Sequence, residues 1–371
     1  MRKCLVLAGG GHAHMMALTQ LNRFIEKGYS VTVIGPSEYH YYSGMGPGML
    51  GGTYTPEQIR FATKRLVEKN GGTFKLGSVV HIDAGTRTVQ MDTGEAVSYD
   101  VLSCNLGSHV DRDIVTGDMA GIYTVKPIER LMTARTEILS AGAQRSIAVA
   151  IVGGGPSAVE IAGNIHRLVQ SPGVQPAVIR ILTRGRFMPR HPVGVRSKAL
   201  ASLKRRGIEI REDCRVQEIQ TDRVVESSGE RHEFDILFLA TGVRPNPVFK
   251  RSGLQTGPDG GLLVNRYLQH KEHPEIFGGG DCIYFEDKPL DKVGVYAVRQ
   301  NPVLLHNLMA ALEGTPLIPF RPQEDYLLIF NLGDGTGIFH KRWIRFSGRL
   351  AFKIKDAIDR KFMRTFQAFE N

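Results

Sequence analysis

The sequence predicts an α/β fold in which one nucleotide-binding architecture is built twice, the second copy inserted in the first. Three observations predict it. The segment CLVLAGGGHAHMMALTQL, starting at Cys4, is echoed by AVAIVGGGPSAVEIAGNI, starting at Ala148. Farther along, GEAVSYDVLSCNLGS (94–108) is echoed by GERHEFDILFLATGV (229–243). Between these marks lie GGTFKLGSVVHIDAGTRTV and RRGIEIREDCRVQEIQTDRV, each reading as two short strands around a turn. At 371 residues the chain is long for one core and sufficient for two domains with an appendage.

Each half opens with an apolar strand, then three glycines, then a helix-patterned run. A second strand follows, Tyr29–Ile34 in the first half and Val178–Leu182 in the second. Strand, glycine turn and helix in that order are the context in which a G-x-G-x-x-G/A motif binds a dinucleotide. The glycines let backbone amides approach a pyrophosphate, whose charge then rests on the helix N-terminus. Gly153, Gly155 and Ala158 satisfy the motif in the second half, with Pro156 and Ser157 opening the helix. In the first half Gly9, Gly10 and Gly11 supply the turn, but His14 stands where the third small residue belongs. A side chain of that size is expected to push the helix away or turn its imidazole outward, and to serve as filler; the phosphate approach itself is untouched.

The ends of the second strands lack the acid that an NAD site uses on the ribose hydroxyls. The first half offers Gly35-Pro36-Ser37-Glu38, with the acid displaced. The second offers Thr183-Arg184-Gly185-Arg186, where two arginines suit the 2′-phosphate of NADP or form an ordinary basic loop.

Composition excludes several classes. The cysteines (Cys4, Cys104, Cys214, Cys282) are far apart with no C-x-x-C pair, which argues against a disulfide scaffold, a zinc site and a dithiol redox centre, so no metal is expected. It also points to a reducing, cytoplasmic compartment. The apolar start after Met1-Arg-Lys is too short for a secretion signal and reads as a strand, and no run of eighteen apolar residues suggests a membrane span. The net charge of +10 fits an anionic cofactor or an anionic membrane surface. Nucleic acid is not expected, since no binding motif accompanies the charge.

Much of that charge lies in the tail. From Lys341 to Arg364 there are nine Lys/Arg against two Asp, with Trp343 and Phe346 among them. Leu350, Ile354, Ile358, Phe362, Phe366 and Phe369 recur as an apolar helical stripe. A basic amphipathic helix reads as a membrane-surface anchor, as a helix packed on its own domain, or as a homodimer contact.

With both glycine motifs, FDILFLATGVRPNP (234–247) and HPEIFGGGDCIYF (273–285), the sequence resembles the flavoproteins with two dinucleotide-binding domains in the pyridine nucleotide-disulfide reductase superfamily. Within it, the chain is similar to the single-subunit NADH:quinone reductase branch, and most to the flavoprotein module fused ahead of selenide, water dikinase. GGGHAH, YYSGMGPGMLGGTY (41–54), GVYAVRQNPVLLHNL (294–308) and IKDAIDRKFMRTFQ (354–367) carry that likeness.

The resemblance implies two Rossmann-like domains: FAD in residues 1–110 and 244–316, NAD(P)H as co-substrate in 111–243, and a C-terminal interface or membrane-association segment over 317–371. It places Gly9, Gly11, His12 and Ala13 on the FAD pyrophosphate, and Gly10, Ser37, Gly107 and Gly280 among the other cofactor-binding residues. Val79 meets adenine through its backbone, and Asp281 bonds the ribityl chain. Ser43, Gly44, Met45, Val295 and Tyr296 flank the flavin ring. Gly153, Gly155, Pro156, Ser157, Arg184 and Gly242 line the nicotinamide-nucleotide site. Catalytic roles fall to Glu160 as proton relay, Lys292 near the flavin's pyrimidine edge, and Gln300 in the quinone pocket. There the family's A-Q-x-A-x-Q-Q is only partly matched by Ala297-Val298-Arg299-Gln300. The leading expectation is an FAD-dependent NAD(P)H dehydrogenase reducing a quinone-type acceptor, peripheral at the inner face of the membrane. The alternatives are a flavin oxidoreductase of a sulfur or selenium compound, and a flavin-bound redox sensor or partner subunit with little turnover.

Overall fold

A computed structural model describes residues 2–370. Two five-stranded parallel sheets organise it. In the first, Cys4–Ala8 lies between Val101–Cys104 and Ser30–Gly35, with Ile276–Gly278 and Thr73–Leu76 outermost. In the second, Ile147–Val152 lies between Ile236–Leu239 and Ala177–Leu182, with Ile122–Thr124 and Glu209–Arg211 outermost. The central strands are buried on both faces (Leu5 to Ala8 and Ile151 are at most fractionally exposed), as parallel strands covered by helices require.

Each half also carries an antiparallel three-stranded meander: Val79–Asp83, Thr88–Met91 and Ala96–Ser98 in the first, Val216–Ile219, Arg223–Glu226 and Arg231–Glu233 in the second. The sequence had suggested two strands in each; the third is the short return leading into the closing parallel strand. Where the chain crosses between the halves and back, Ser108–His109 pairs antiparallel with Arg244–Pro245.

The helix Pro156–Leu168 starts cleanly, with proline at its first position, and buries Ala158, Ile161, Ala162 and Ile165. Its counterpart is broken into a 3-10 turn, His12–His14, and two five-residue helices, Met15–Thr19 and Asn22–Glu26. The long helix Gly294–Glu313 packs against that broken entry and stops at Gly314, whose φ is +75°.

The remainder is an antiparallel sheet, Leu328–Asn331, Gly337–Lys341 and Ile344–Gly348, followed by the helix Arg349–Gln367. This helix lies on the chain itself, but not along the whole expected stripe. Phe362 and Phe366 turn inward while Leu350, Ile358 and Phe369 are exposed. The line facing the protein runs Ala351, Lys355, Asp359, Met363, so two charges sit where apolar residues were expected.

Candidate functional site

Both glycine turns are built the same way. Gly9 has φ +96°, its amide donates to Ile34 O at 2.8 Å, and a Cβ there would lie 2.2 Å from Asn105 O. Gly153 has φ +132°, donates to Leu182 O at 2.8 Å, and a Cβ would lie 2.1 Å from Ala240 O. Only glycine fits either position, on sterics and on backbone conformation. A Cβ at Gly155 or Gly242, by contrast, would meet nothing within 4 Å, leaving an open approach to the N-terminus of Pro156–Leu168.

His14 does not turn outward. Its imidazole is fully buried, with Nδ1 2.6 Å from Gly9 O and Nε2 2.8 Å from Ser103 Oγ. It is therefore a bracket between the turn and the neighbouring strand rather than filler. The space it takes matches the broken helix that follows it. Burial lowers its pKa to about 4, so the ring is neutral.

Around the first turn four buried side-chain atoms have no partner among the described residues: His12 Nε2, Thr63 Oγ1, Asn105 Nδ2 and Gln300 Nε2. Buried polar atoms without partners are rare in native proteins, and four around one glycine turn mark a polar ligand site. Gln300 accepts from Gly280 N at 2.6 Å through its Oε1, which aims it at this turn. Asn301, beside it, donates to His12 O at 2.5 Å and fixes the long helix on the cradle. Asp281 pairs with Lys126 at 2.5 Å and accepts from Ser108 Oγ at 2.9 Å. Lys126 comes from the second half and stood in no motif. Burial, then Lys126, lowers the His12 pKa to about 4, and His40 lies 3.1 Å from its Nδ1.

Other expected residues spread around this centre. Gly107, with φ +67°, follows the closing strand and has open space beside it. Ala13 and Met45 are buried, and Val79 is buried at the start of its meander. Gly10 packs on Thr63. Ser37 Oγ accepts from Tyr39 N, and the displaced acid Glu38 is paired with Lys64 at 2.7 Å. Val295 and Tyr296 open the long helix, with Tyr296 against Tyr326. Lys292 is held by Ile283 O at 2.5 Å and by Asp259 at 2.7 Å, which use two of its three N–H donors. Arg184 and Arg186 are exposed beyond the second strand of the other half, and Ser157 is exposed at its helix start.

Glu160 belongs to the helix that rises from the second turn, yet its carboxylate reaches the C-terminal sheet, accepting from Asn331 N at 2.8 Å. Close by, Lys355 Nζ bonds Asp359 Oδ2 at 2.6 Å and Gly44 O at 2.7 Å, and Tyr42 donates to Asp359 Oδ1 at 3.0 Å. Burial raises the Glu160 pKa, opposed by Lys355 and the Asn331 amide. Burial likewise raises that of Asp359 against the pull of Lys355. An aromatic wall of His12, Tyr42, Phe61 and Phe362 stands beside this cluster. Tyr42, Lys355 and Asp359 were missed from sequence. Their signal was the four-residue spacing of Lys355 and Asp359 between buried Ala351 and Met363.

The family described as pyridine nucleotide-disulphide oxidoreductase matches residues 3–308. The chain belongs to that family. Proteins similar to it include the type II NADH:quinone oxidoreductase of Staphylococcus saprophyticus, 24% identical over 96% of this chain and 94% of that one. Ferroptosis suppressor protein 1 of Mus musculus is 23% identical over 96% and 92%. Among solved structures, NDH2 from Plasmodium falciparum in complex with NADH superposes with a TM-score of 0.79 at 14% identity, over 99% and 97% of the two chains. The sulfide:quinone oxidoreductase of Aquifex aeolicus gives 0.78 at 18%, over 99% and 92%. Among the described residues Cys4, Cys104, Cys214 and Cys282 are all free thiols, and Cys282 Sγ donates to the carbonyls of Cys104 and Gly279.

Proposed function

We propose that this chain is an FAD-dependent NAD(P)H dehydrogenase that delivers electrons to a quinone-type acceptor. The observation that carries the reading is the position of Glu160. It rises from the open second cradle and ends beside Gly44, Lys355 and Asp359, at the edge of the first. The similarity to the type II NADH:quinone oxidoreductase of Staphylococcus saprophyticus supports it.

The division of labour follows the two cradles. Residues 1–110 and 244–316 would hold FAD: its pyrophosphate would accept from backbone amides of the first glycine turn beyond Gly9, whose own N–H is held by Ile34 O, and His12, Thr63, Asn105 and Gln300 have buried polar atoms left to bond it. Residues 111–243 would hold the nicotinamide nucleotide across Gly153, Gly155 and Gly242. FAD, when bound, takes hydride from a reduced nicotinamide and gives the electrons to an acceptor. The protein's own part is to orient both partners and to manage protons. The long helix begins at Gly294, and its positive N-terminal end, at Val295 and Tyr296, would stabilise negative charge on the flavin ring. Burial favours the protonated form of the Glu160 and Asp359 carboxyls, so either is able to hold a proton for an acceptor that needs one. Lys355 positions this pair by fixing Asp359 and the Gly44 carbonyl. Tyr42 and Phe362 supply an apolar, aromatic flank suited to a quinone ring.

Attachment to an anionic membrane surface belongs to the same reading. Among the described residues no helix is long and apolar enough to cross a membrane. The outer side of the C-terminal segment instead exposes Trp343 (80%) and Leu350 (62%) beside Lys341, Arg342, Arg345, Arg349 and Lys353. Anaerobic titration of the yellow protein with NADH and with NADPH tests the dehydrogenase. Bleaching of the flavin band by either, and its return on adding quinone, is the expected result. A properly bound flavin that neither nucleotide bleaches removes the proposal.

A further inference from the structure

Away from the cradles, the meander of the second half gathers three metal-ligating side chains of different kinds. Cys214 lies in the loop between the strands Glu209–Arg211 and Val216–Ile219. Glu226 ends the strand Arg223–Glu226, and His232 is central in Arg231–Glu233, opposite Val224. Strand alternation puts Val224, Glu226 and His232 on one face, and that face is buried: Glu226 is 9%, His232 4% and Cys214 3% exposed. Their ligand atoms all lie within 4.8 Å of one another, with His232 Nε2 2.5 Å from Glu226 Oε1.

We propose that Cys214, Glu226 and His232 form a binding site for a divalent zinc-like cation. Sulfur, nitrogen and oxygen donors at about 2.0–2.3 Å from a tetrahedral zinc stand roughly 3–4 Å apart, so the triad closes on an ion with small side-chain shifts. Charge supports it as well. The site lies in the apolar cluster of Leu182, Ile219, Val224 and Leu239, where a net charge is costly. A dication with one thiolate, one carboxylate and a neutral imidazole sums to zero. Binding sends the Cys214 thiol proton to solvent and leaves the fourth position to water, which keeps the sum at zero. The ligands come from residues 214, 226 and 232, a spacing with no short-range motif, so counting cysteines in the sequence passes over the site.

The cation would also tie down the nucleotide side of this half. Cys214 N donates to Thr183 O at 3.0 Å, directly before Arg184, and Glu212 holds Phe187 N and Arg196 at 2.5 and 2.7 Å. The inference stands independently of which nucleotide or acceptor is used.

The test is equilibrium dialysis of the flavin-loaded protein against zinc chloride, followed by metal analysis. One zinc per chain is expected in the wild type, with a melting temperature raised by a few degrees over the EDTA-treated protein. Cys214→Ser and His232→Gln are expected to abolish both while melting like the wild type in EDTA. X-ray absorption at the zinc edge of the loaded wild type needs no variant. One sulfur at about 2.3 Å with lighter donors at about 2.0 Å supports the site. No zinc retained, zinc without a sulfur neighbour, or zinc undiminished in Cys214→Ser each overturns it.

Discussion

The phenol of Tyr42 donates to Asp359 at 3.0 Å, joining the first half of the molecule to its C-terminal helix at the point where Lys355 also bonds Asp359 and Gly44. The inner face of that helix is thus part of the site. Lys355 lowers the pKa of both Glu160 and Asp359 against the effect of burial. Lys355→Met removes that pull, so both carboxyls bind protons more tightly and keep them to higher pH. Quinone-driven return of the flavin colour is expected to slow by about a hundredfold, as loss of a proton-managing group does. The limb of its pH profile moves to higher pH. Bleaching by the nucleotide, whose cradle Lys355 does not touch, changes little. Stopped-flow measurement of the two half-reactions separates these outcomes; equal slowing of both makes Lys355 a structural residue.

His14 gives a prediction about stability. His14→Phe keeps the bulk but leaves Gly9 O and Ser103 Oγ without their buried partners, a cost of about 2–3 kcal/mol. The sign with pH is fixed by the lowered pKa of about 4. The unfolded chain takes up the proton first, so the native state's advantage is complete above about 6.5 and is lost as pH falls toward 4. The loss runs at about 1.4 kcal/mol per pH unit for each such histidine. His14→Phe has no such loss at this position. Urea unfolding at pH 7.5 and pH 5 should therefore show the gap between wild type and variant narrowing in acid. A constant gap would mean that the imidazole titrates normally.

These two residues also show where sequence reading succeeds and stops. The doubled strand–glycine–helix order was legible because a parallel sheet and a glycine turn impose local patterns, apolar runs and fixed spacings, that survive in one dimension. His14 was visible as an oddity, but its partners, Gly9 O and Ser103, meet only when Val101–Cys104 pairs with Cys4–Ala8. Lys355 and Asp359 were misread with the basic face, because a helical stripe of apolar residues spaced by four drifts around the axis. The face actually buried lies one residue later, through Ala351 and Met363. Lys126 and Asn331 carried no motif; a loop after Ile122–Thr124 brings the first to the site and the end of the strand Leu328–Asn331 the second.

Nucleotide choice is open to a direct test at Arg184 and Arg186. Both are exposed, and no acid occupies the end of the strand Ala177–Leu182 to bond a ribose 2′-hydroxyl. An arginine there makes charge-assisted bonds to a 2′-phosphate and only weak contact with a hydroxyl. The double variant Arg184→Ala, Arg186→Ala is expected to raise KM for NADPH by about tenfold or more, with NADH changed by less than about twofold. Steady-state kinetics with each donor reads this. Equal effects on both would make the pair an ordinary basic loop.

The C-terminal segment makes a prediction that separates its two faces. Trp343, at the tip of the hairpin, and Leu350, in the first turn of the helix, are exposed, while Phe362 and Phe366 pack on Phe61. If the outer face binds lipid, Trp343→Ala with Leu350→Glu removes apolar insertion and adds repulsion from an anionic surface. The protein should then stay in the supernatant when spun with vesicles containing phosphatidylserine, whereas the wild type sediments and is released by salt. Flavin content and reduction by the nucleotide should be unchanged, since neither residue faces the cradles. Phe362→Ala is expected to do the reverse, disturbing the His12 and Tyr42 wall and hence acceptor reduction, while leaving vesicle binding intact. Should the outer-face variant sediment like the wild type, the basic charge alone, or a second protein chain, accounts for the exposed face instead.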